Sequence, residues 1–118
     1  RFIPPASSRG RSVIPGPRMF VSTRAFSATG MYPLSGYSWE LKVPEGVQIV
    51  DGPDEIRKAV REQVKYGADW IKVYADRRYF MKDGALHSWV NFTDEEMRAF
   101  VSEGTSPSFA TRPGDTAE

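Results

Sequence analysis

A proline, an amphipathic run, a glycine and an apolar strand follow one another without a break from Pro53 to Tyr74, and this order of signals confines the chain to an α/β fold. Pro53 suits the first turn of a helix. Asp54 and Glu55 stand at the positive end of its dipole, Lys65 stands near the negative end, and Gly67 is placed to stop it. Ile56, Ala59, Val60, Val64 and Gly67 recur at helical spacing on one face, while Arg57, Lys58, Arg61 and Glu62 lie elsewhere on the cylinder. The spacing predicts a helix over Pro53 to Tyr66 with one side packed. Asp69-Trp70-Ile71-Lys72-Val73-Tyr74 then reads as a strand, with Ile71 and Val73 on one face and Trp70, Lys72 and Tyr74 on the other.

Around this unit the remaining signals are shorter. Residues 1–17 hold Pro4, Pro5, Pro15 and Pro17 among serines and glycines, a composition that breaks helix and strand and reads as a mobile arm ending in a rigid turn. Met19-Phe20-Val21-Ser22-Thr23 is a short β-rich run, expected to lie parallel to the 68–74 strand in one sheet, with the Pro53 to Tyr66 helix covering one face. A turn-rich loop runs from Ala28 to Val47. Loops of about twenty residues are uncommon inside compact domains, so its Gly30, Tyr32, Tyr37 and Trp39 suggest either a lid or pocket wall, or a surface excursion packing its own aromatics. Asp83-Gly84 between Tyr79-Phe80-Met81-Lys82 and Ala85-Leu86-His87-Ser88-Trp89 predicts a β-hairpin. Thr93 and Glu96 predict a capping box opening a second helix, with Phe92 stapled onto Met97 and an apolar stripe of Met97, Phe100 and Val101. Gly104 to Glu118 is too poor in apolar residues to continue a core and is expected to be disordered.

Composition excludes several function classes. The 118 residues contain no cysteine, which removes a disulfide framework, a thiolate zinc site and a cysteine nucleophile together. No run approaches eighteen consecutive apolar residues and no signal-peptide core opens the chain, so neither membrane insertion nor secretion is indicated. The cytoplasm is favoured without being fixed, since the sequence opens on Arg1. The first 39 residues carry five arginines and no acid, leaving 11 of the 16 bases and all 15 acids to the other 79. Five scattered arginines make no compact patch, and nucleic-acid binding is not expected.

Lys72 is the first candidate for chemistry. An ammonium within an apolar strand is costly to bury. Burial frees the amine to act as a base, a Schiff-base nucleophile or a carbamate former. The alternative is a packed stem with the head in water or paired with Asp69 or Asp76. His87 is the single histidine, on a hairpin, and reads as surface. Asp94, Glu95 and Glu96 read as helix capping rather than a hard-cation site. No phosphate loop occurs around Gly16, and Ser22 lacks a nucleophile-elbow context.

Three stretches together resemble one family: Ile14-Pro15-Gly16-Pro17-Arg18-Met19-Phe20-Val21-Ser22, Asp51-Gly52-Pro53-Asp54-Glu55-Ile56-Arg57 and Gly67-Ala68-Asp69-Trp70-Ile71-Lys72-Val73. The resemblance, over roughly residues 13–103, is to the metal-dependent amidohydrolases, in the branch of imidazolonepropionase-like and Xaa-Pro dipeptidase-like carboxypeptidases. It implies an α/β chain forming part of a (β/α)8 TIM barrel, with the site at the C-terminal mouths of the strands. The strands around Val21 and Lys72 would be two central staves. Lys72 matches the family lysine that CO2 carboxylates and that bridges two divalent metals, typically zinc. This moves Lys72 to the functional reading, both as metal ligand and as catalytic residue.

The departures are as informative. The family's His-x-His pair, its two later histidines and its last-strand aspartate have no counterparts here, and Ser102-Glu103-Gly104-Thr105-Ser106-Pro107 leaves the pattern abruptly. A closed barrel needs about 250 residues. The expected organisation is a mobile arm over 1–12, a partial barrel over 13–103 and a disordered tail over 104–118, with both ends foreign to the family. The expected function is a fragment of a binuclear-metal amidohydrolase, acting in complete form on amide-type C–N bonds of small cyclic amides or dipeptide-like substrates. An oligomer is compatible with it. The alternatives are a non-catalytic remnant and a small aromatic-rich binding module.

Overall fold

The computed structural model describes residues 15–32 and 35–107. The expected arm over 1–12 and the tail from 108 onward lie outside them. The elements run β1 (Ala25–Ser27), β2 (Val47–Ile49), α1 (Pro53–Lys65), β3 (Asp76–Lys82), β4 (Ala85–Val90) and α2 (Asp94–Gly104).

α1 forms where its local signals place it. Pro53 occupies the first turn, Asp54 and Glu55 follow it, and Lys65 closes the last turn. At the far end the Gly67 N–H donates to the Val64 carbonyl and the Ala68 N–H to that of Gln63, with Gly67 at φ 90°. That pair of bonds is a Schellman stop, and the left-handed backbone it needs is why glycine stands there. Ile56, Ala59, Val60 and Gln63 are buried. The polar Gln63 is tolerated because its amide donates to the Arg24 carbonyl and to Gln48 Oε1.

β1 and β2 pair in parallel, Phe26 opposite Gln48, and a parallel bridge joins Phe26 to Val73 on the other side. The sheet at the centre is two-stranded, β2 and β1, and the stretch expected as a strand over 69–74 runs alongside β1 but is joined to it by the single bridge at Val73. Its first strand lies four to six residues beyond the expected Met19 to Thr23 run. Met19 and Phe20 are exposed, and Thr23 at φ 57° breaks the extension. Strand propensity resides in the earlier run, but burial selects Ala25, Phe26, Ser27 and Ala28, whose mostly small side chains fit a strand covered on both faces. Val21 still meets the 68–74 region, its carbonyl accepting from the Asp69 and Trp70 amides. β2 falls at the end of the expected loop and has no turn-and-alternation signature of its own.

One core cluster joins the layers: Phe26 and Val50 from the sheet side, Ile56 and Val60 from α1, and Phe92 and Phe100 from the α2 region. Phe100 meets Phe26 at 5.2 Å and Phe92 edge-on at 5.0 Å between ring centres. The capping box on α2 is formed in full, with Glu96 accepting from the Thr93 amide and Thr93 Oγ1 accepting from the Glu96 amide. Met97 packs against the core cluster to which Phe92 belongs. The stripe differs from expectation: Ala99, Phe100 and Glu103 are buried, whereas Val101 is exposed. The helix also includes Gly104, and Thr105 caps it.

β3 and β4 form the antiparallel hairpin, turning through Asp83 and Gly84 at φ 50° and 75°. Positive φ at both central residues matches the twist of the strands. A bulge at Arg78, φ 47°, shifts the register between Arg77 and Tyr79. Among the described residues no helix is long and apolar enough to cross a membrane.

Candidate functional site at the strand ends

Parallel pairing aims the C-terminal ends of β1, β2 and the 71–74 segment in one direction, so the loops leaving them share one edge. Three loops meet there. After β1, the Thr29 amide and hydroxyl both donate to the Asp51 carboxylate, which follows β2. Also after β1, Tyr32 stacks on Tyr74 with ring centres 5.5 Å apart. Both helices begin at this edge as well: the Gly52 amide, at the entry to α1, donates to Glu96 Oε2 in the first turn of α2 at 2.9 Å. Burial pushes the Glu96 carboxyl up, and Asp51 nearby adds to that. Bonds from the Thr93 and Gly52 amides and the Thr93 hydroxyl outweigh both and hold it below its ordinary value.

Lys72 sits on the sheet face away from the helices. Ile71 and Val73 point the other way and pack against the core, as alternation requires. The Lys72 side chain is exposed, in contrast to the burial expected for it, and its Nζ stands 5.1 Å from the centre of the Tyr74 ring. That face carries no helix: Ser27 is buried on it, while at Lys72 the side chain stays open with the Tyr74 ring beside it. Its backbone carbonyl accepts from the Phe26 amide at 2.8 Å, which fixes the position of Cα against β1. The Asp69 carboxylate accepts from the Val21 amide, and Asp76 accepts from Ser88 Oγ.

Several residues of this edge carry no sequence signal. Ser27 is fully buried, its hydroxyl has no partner among the described residues, and the register set by Phe26 and Val73 places it level with Tyr74 on the Lys72 face. Asn91 is buried at the foot of the hairpin; its backbone amide donates to the Ala75 carbonyl and its side-chain amide to that of Tyr74, both at 2.9 Å. It locks the hairpin to the end of the Lys72 segment. Of the long loop's aromatics only Tyr32 reaches this edge, while Tyr37 and Trp39 are exposed rather than packed on one another. His87 lies on the exposed hairpin, stacked on Phe80 at 5.5 Å, away from any ligand set.

The family model described as the amidohydrolase family matches residues 6–105. The chain belongs to the amidohydrolase family. Amidohydrolases generally use metal ions. The fold is a partial α/β fold of the amidohydrolase type. A crystal structure of an amidohydrolase is 30% identical, with a TM-score of 0.57 over 77% of this chain. A prolidase complexed with N-methylphosphonate-L-proline is 29% identical, with a TM-score of 0.59 over 78% of this chain. An uncharacterized protein of known structure, 29% identical, gives 0.58 over 79%. The chain spans 24% of each of these longer chains. No curated protein matches it.

A two-metal centre demands several convergent ligands. Among the described residues no three of His, Cys, Asp or Glu converge. Lys72 is then at most one ligand, and this chain's residues do not by themselves fit the metal pair.

Proposed function

We propose that these 118 residues are the portion of a metal-dependent amidohydrolase that carries one metal ligand, Lys72, within a (β/α)8 barrel hydrolysing an amide-type C–N bond of a dipeptide-like or small cyclic amide substrate. The observation that carries this reading is the placement of Lys72: on the helix-free face of a parallel sheet, beside the loops that leave its C-terminal ends. That is the face and the edge where barrels of this kind keep their sites. The similarity to a prolidase whose bound ligand is a proline phosphonate supports the dipeptide-like choice. In the complete enzyme two divalent metals, zinc by resemblance, would polarise the substrate carbonyl and activate a hydroxide, with Lys72 as one of the residues that would hold them. This chain's own part is to hold the Lys72 backbone through Phe26, to set the Tyr74 ring beside its ammonium, and to anchor the hairpin through Asn91.

The test is a graft of residues 15–107 into the 29%-identical prolidase in place of its matched quarter. Retained zinc and Xaa-Pro hydrolysis, both lost with Lys72→Ala, is the expected result. Activity that survives Lys72→Ala removes Lys72 from the site.

A further inference from the structure

The β3–β4 hairpin is a sheet of its own, and its pairing sorts its side chains into two unlike faces. Asp76 lies opposite Val90, Tyr79 opposite Ser88 and Met81 opposite Leu86, and opposite residues of an antiparallel pair share a face. Simple alternation would put Asp76 and Tyr79, three apart, on different sides. The extra residue at the Arg78 bulge cancels that, so all six stand together. The hydrogen bonds agree: Ser88 Oγ donates to the Asp76 carboxylate at 3.0 Å and Tyr79 Oη at 3.5 Å. Arg78 holds φ 47° to do this, a left-handed backbone that is costly outside glycine.

The other face carries Arg77, Lys82 and His87 around Phe80 and Trp89, with the Phe80 ring 5.5 Å from both His87 and Trp89. It is cationic, and its rings cover one another. The first face has a single charge, Asp76, already engaged by two hydroxyls within the face. Its Tyr79, Met81, Leu86 and Val90 are 66–73% exposed. Those four side chains present roughly 500 Å² of apolar surface, the size at which a patch marks an interaction site.

A second copy of this chain fits that face. Two such patches bury about 1,000 Å² together, the area a specific interface has to clear. A twofold axis sets a patch against itself, so the patch must not repel itself. With the hairpins antiparallel and the axis near the Tyr79–Ser88 pair, the foot of one copy meets the tip of the other, and the two Asp76 carboxylates stand at opposite ends. The cationic face would instead bring Arg77 and Lys82 of both copies together. We propose that the face of Tyr79, Met81, Leu86 and Val90 is a self-association surface, on which a second copy of this chain lays the same face of its hairpin. The inference does not depend on Lys72 or on any hydrolytic activity.

Sedimentation of the 118-residue chain over a range of concentrations should show a monomer–dimer equilibrium. Leu86→Lys and Met81→Lys, both at exposed positions, should each weaken the dimer at least tenfold while leaving the circular dichroism of the monomer unaltered. Val101→Asp, in the apolar groove beside the sheet lined by Trp70, Ile71, Met97 and Val101, should leave the dimer as it is. Because the chain has no cysteine, Ser88→Cys and His87→Cys each introduce a single thiol, one on either face. Under a mild oxidant the Ser88→Cys chain should cross-link to itself at least tenfold faster than the His87→Cys chain. A monomer at every concentration, as expected if another protein or a lipid surface covers the face, overturns the proposal. So does a dimer indifferent to both lysine variants, one dissociated by Val101→Asp, or equal cross-linking from the two faces.

Discussion

Lys72, being exposed, contributes little to stability. Its ammonium over Tyr74 is an exposed cation–π contact, of the order of 0.5–1 kcal/mol at most. Lys72→Ala should therefore shift the stability of the chain by less than about 1 kcal/mol in urea denaturation, and a larger loss would mean that the residue is structural. Gly67 is the opposite case. At φ 90° a side chain is strained whatever the space around it, and Gly67→Ala should cost about 1 kcal/mol or more. Loss of the α1 stop would show as faster exchange at the Ala68 amide, whose bond to Gln63 closes the helix.

At the scale of elements, α2 and the hairpin each hang on a few polar groups. Thr93→Ala removes the cap from α2 and should cost about 1 kcal/mol, read as lost helical ellipticity. Glu96 adds a pH dependence. Its carboxyl is held below the ordinary value in the fold, so its contribution is complete above the unfolded value and fades as the pH falls through the lower, folded one. Acidification below about pH 4.5 should therefore loosen the α1–α2 entry, and Glu96→Gln should flatten that response. Asn91→Ala removes the side-chain bonds to the Tyr74 and Asp76 carbonyls at the foot of the hairpin. With a buried bond lost, about 1–3 kcal/mol of local stability should go, and exchange should quicken from 76 to 90 while α1 is unaffected.

For the whole molecule the open sheet dominates. Tyr79, Met81, Leu86 and Val90 are exposed on the hairpin, and Trp70 and Val101 beside the groove. At about 25 cal/mol per Å² of apolar surface, a few uncovered side chains forfeit several kcal/mol, comparable with the net stability of a small domain. The isolated chain should unfold broadly, with a midpoint that depends on protein concentration. A sharp, concentration-independent transition would identify a self-sufficient domain. The same chain should bind no stoichiometric zinc pair and turn over no Xaa-Pro dipeptide, because one lysine does not fix two ions.

What the amino-acid order determined by itself was the short-range part: α1 with its proline start and glycine stop, the Asp83-Gly84 turn and the Thr93–Glu96 box. Each is settled by bonds spanning fewer than six residues. Family membership was legible too, since Ile14 to Ser22, Asp51 to Arg57 and Gly67 to Val73 keep their order and separation. The tertiary structure alone decided which residues became the central strand. Ala25 to Ser27 displaced the more β-prone Met19 to Thr23 because they pair with Val47 to Ile49 and with Val73, partners 22 and more residues away. It also decided that Lys72 is exposed and that Ser27, Tyr32, Tyr74 and Asn91 gather at one edge. Alternation along a strand names two faces, but only the packing of the helices says which of them is covered.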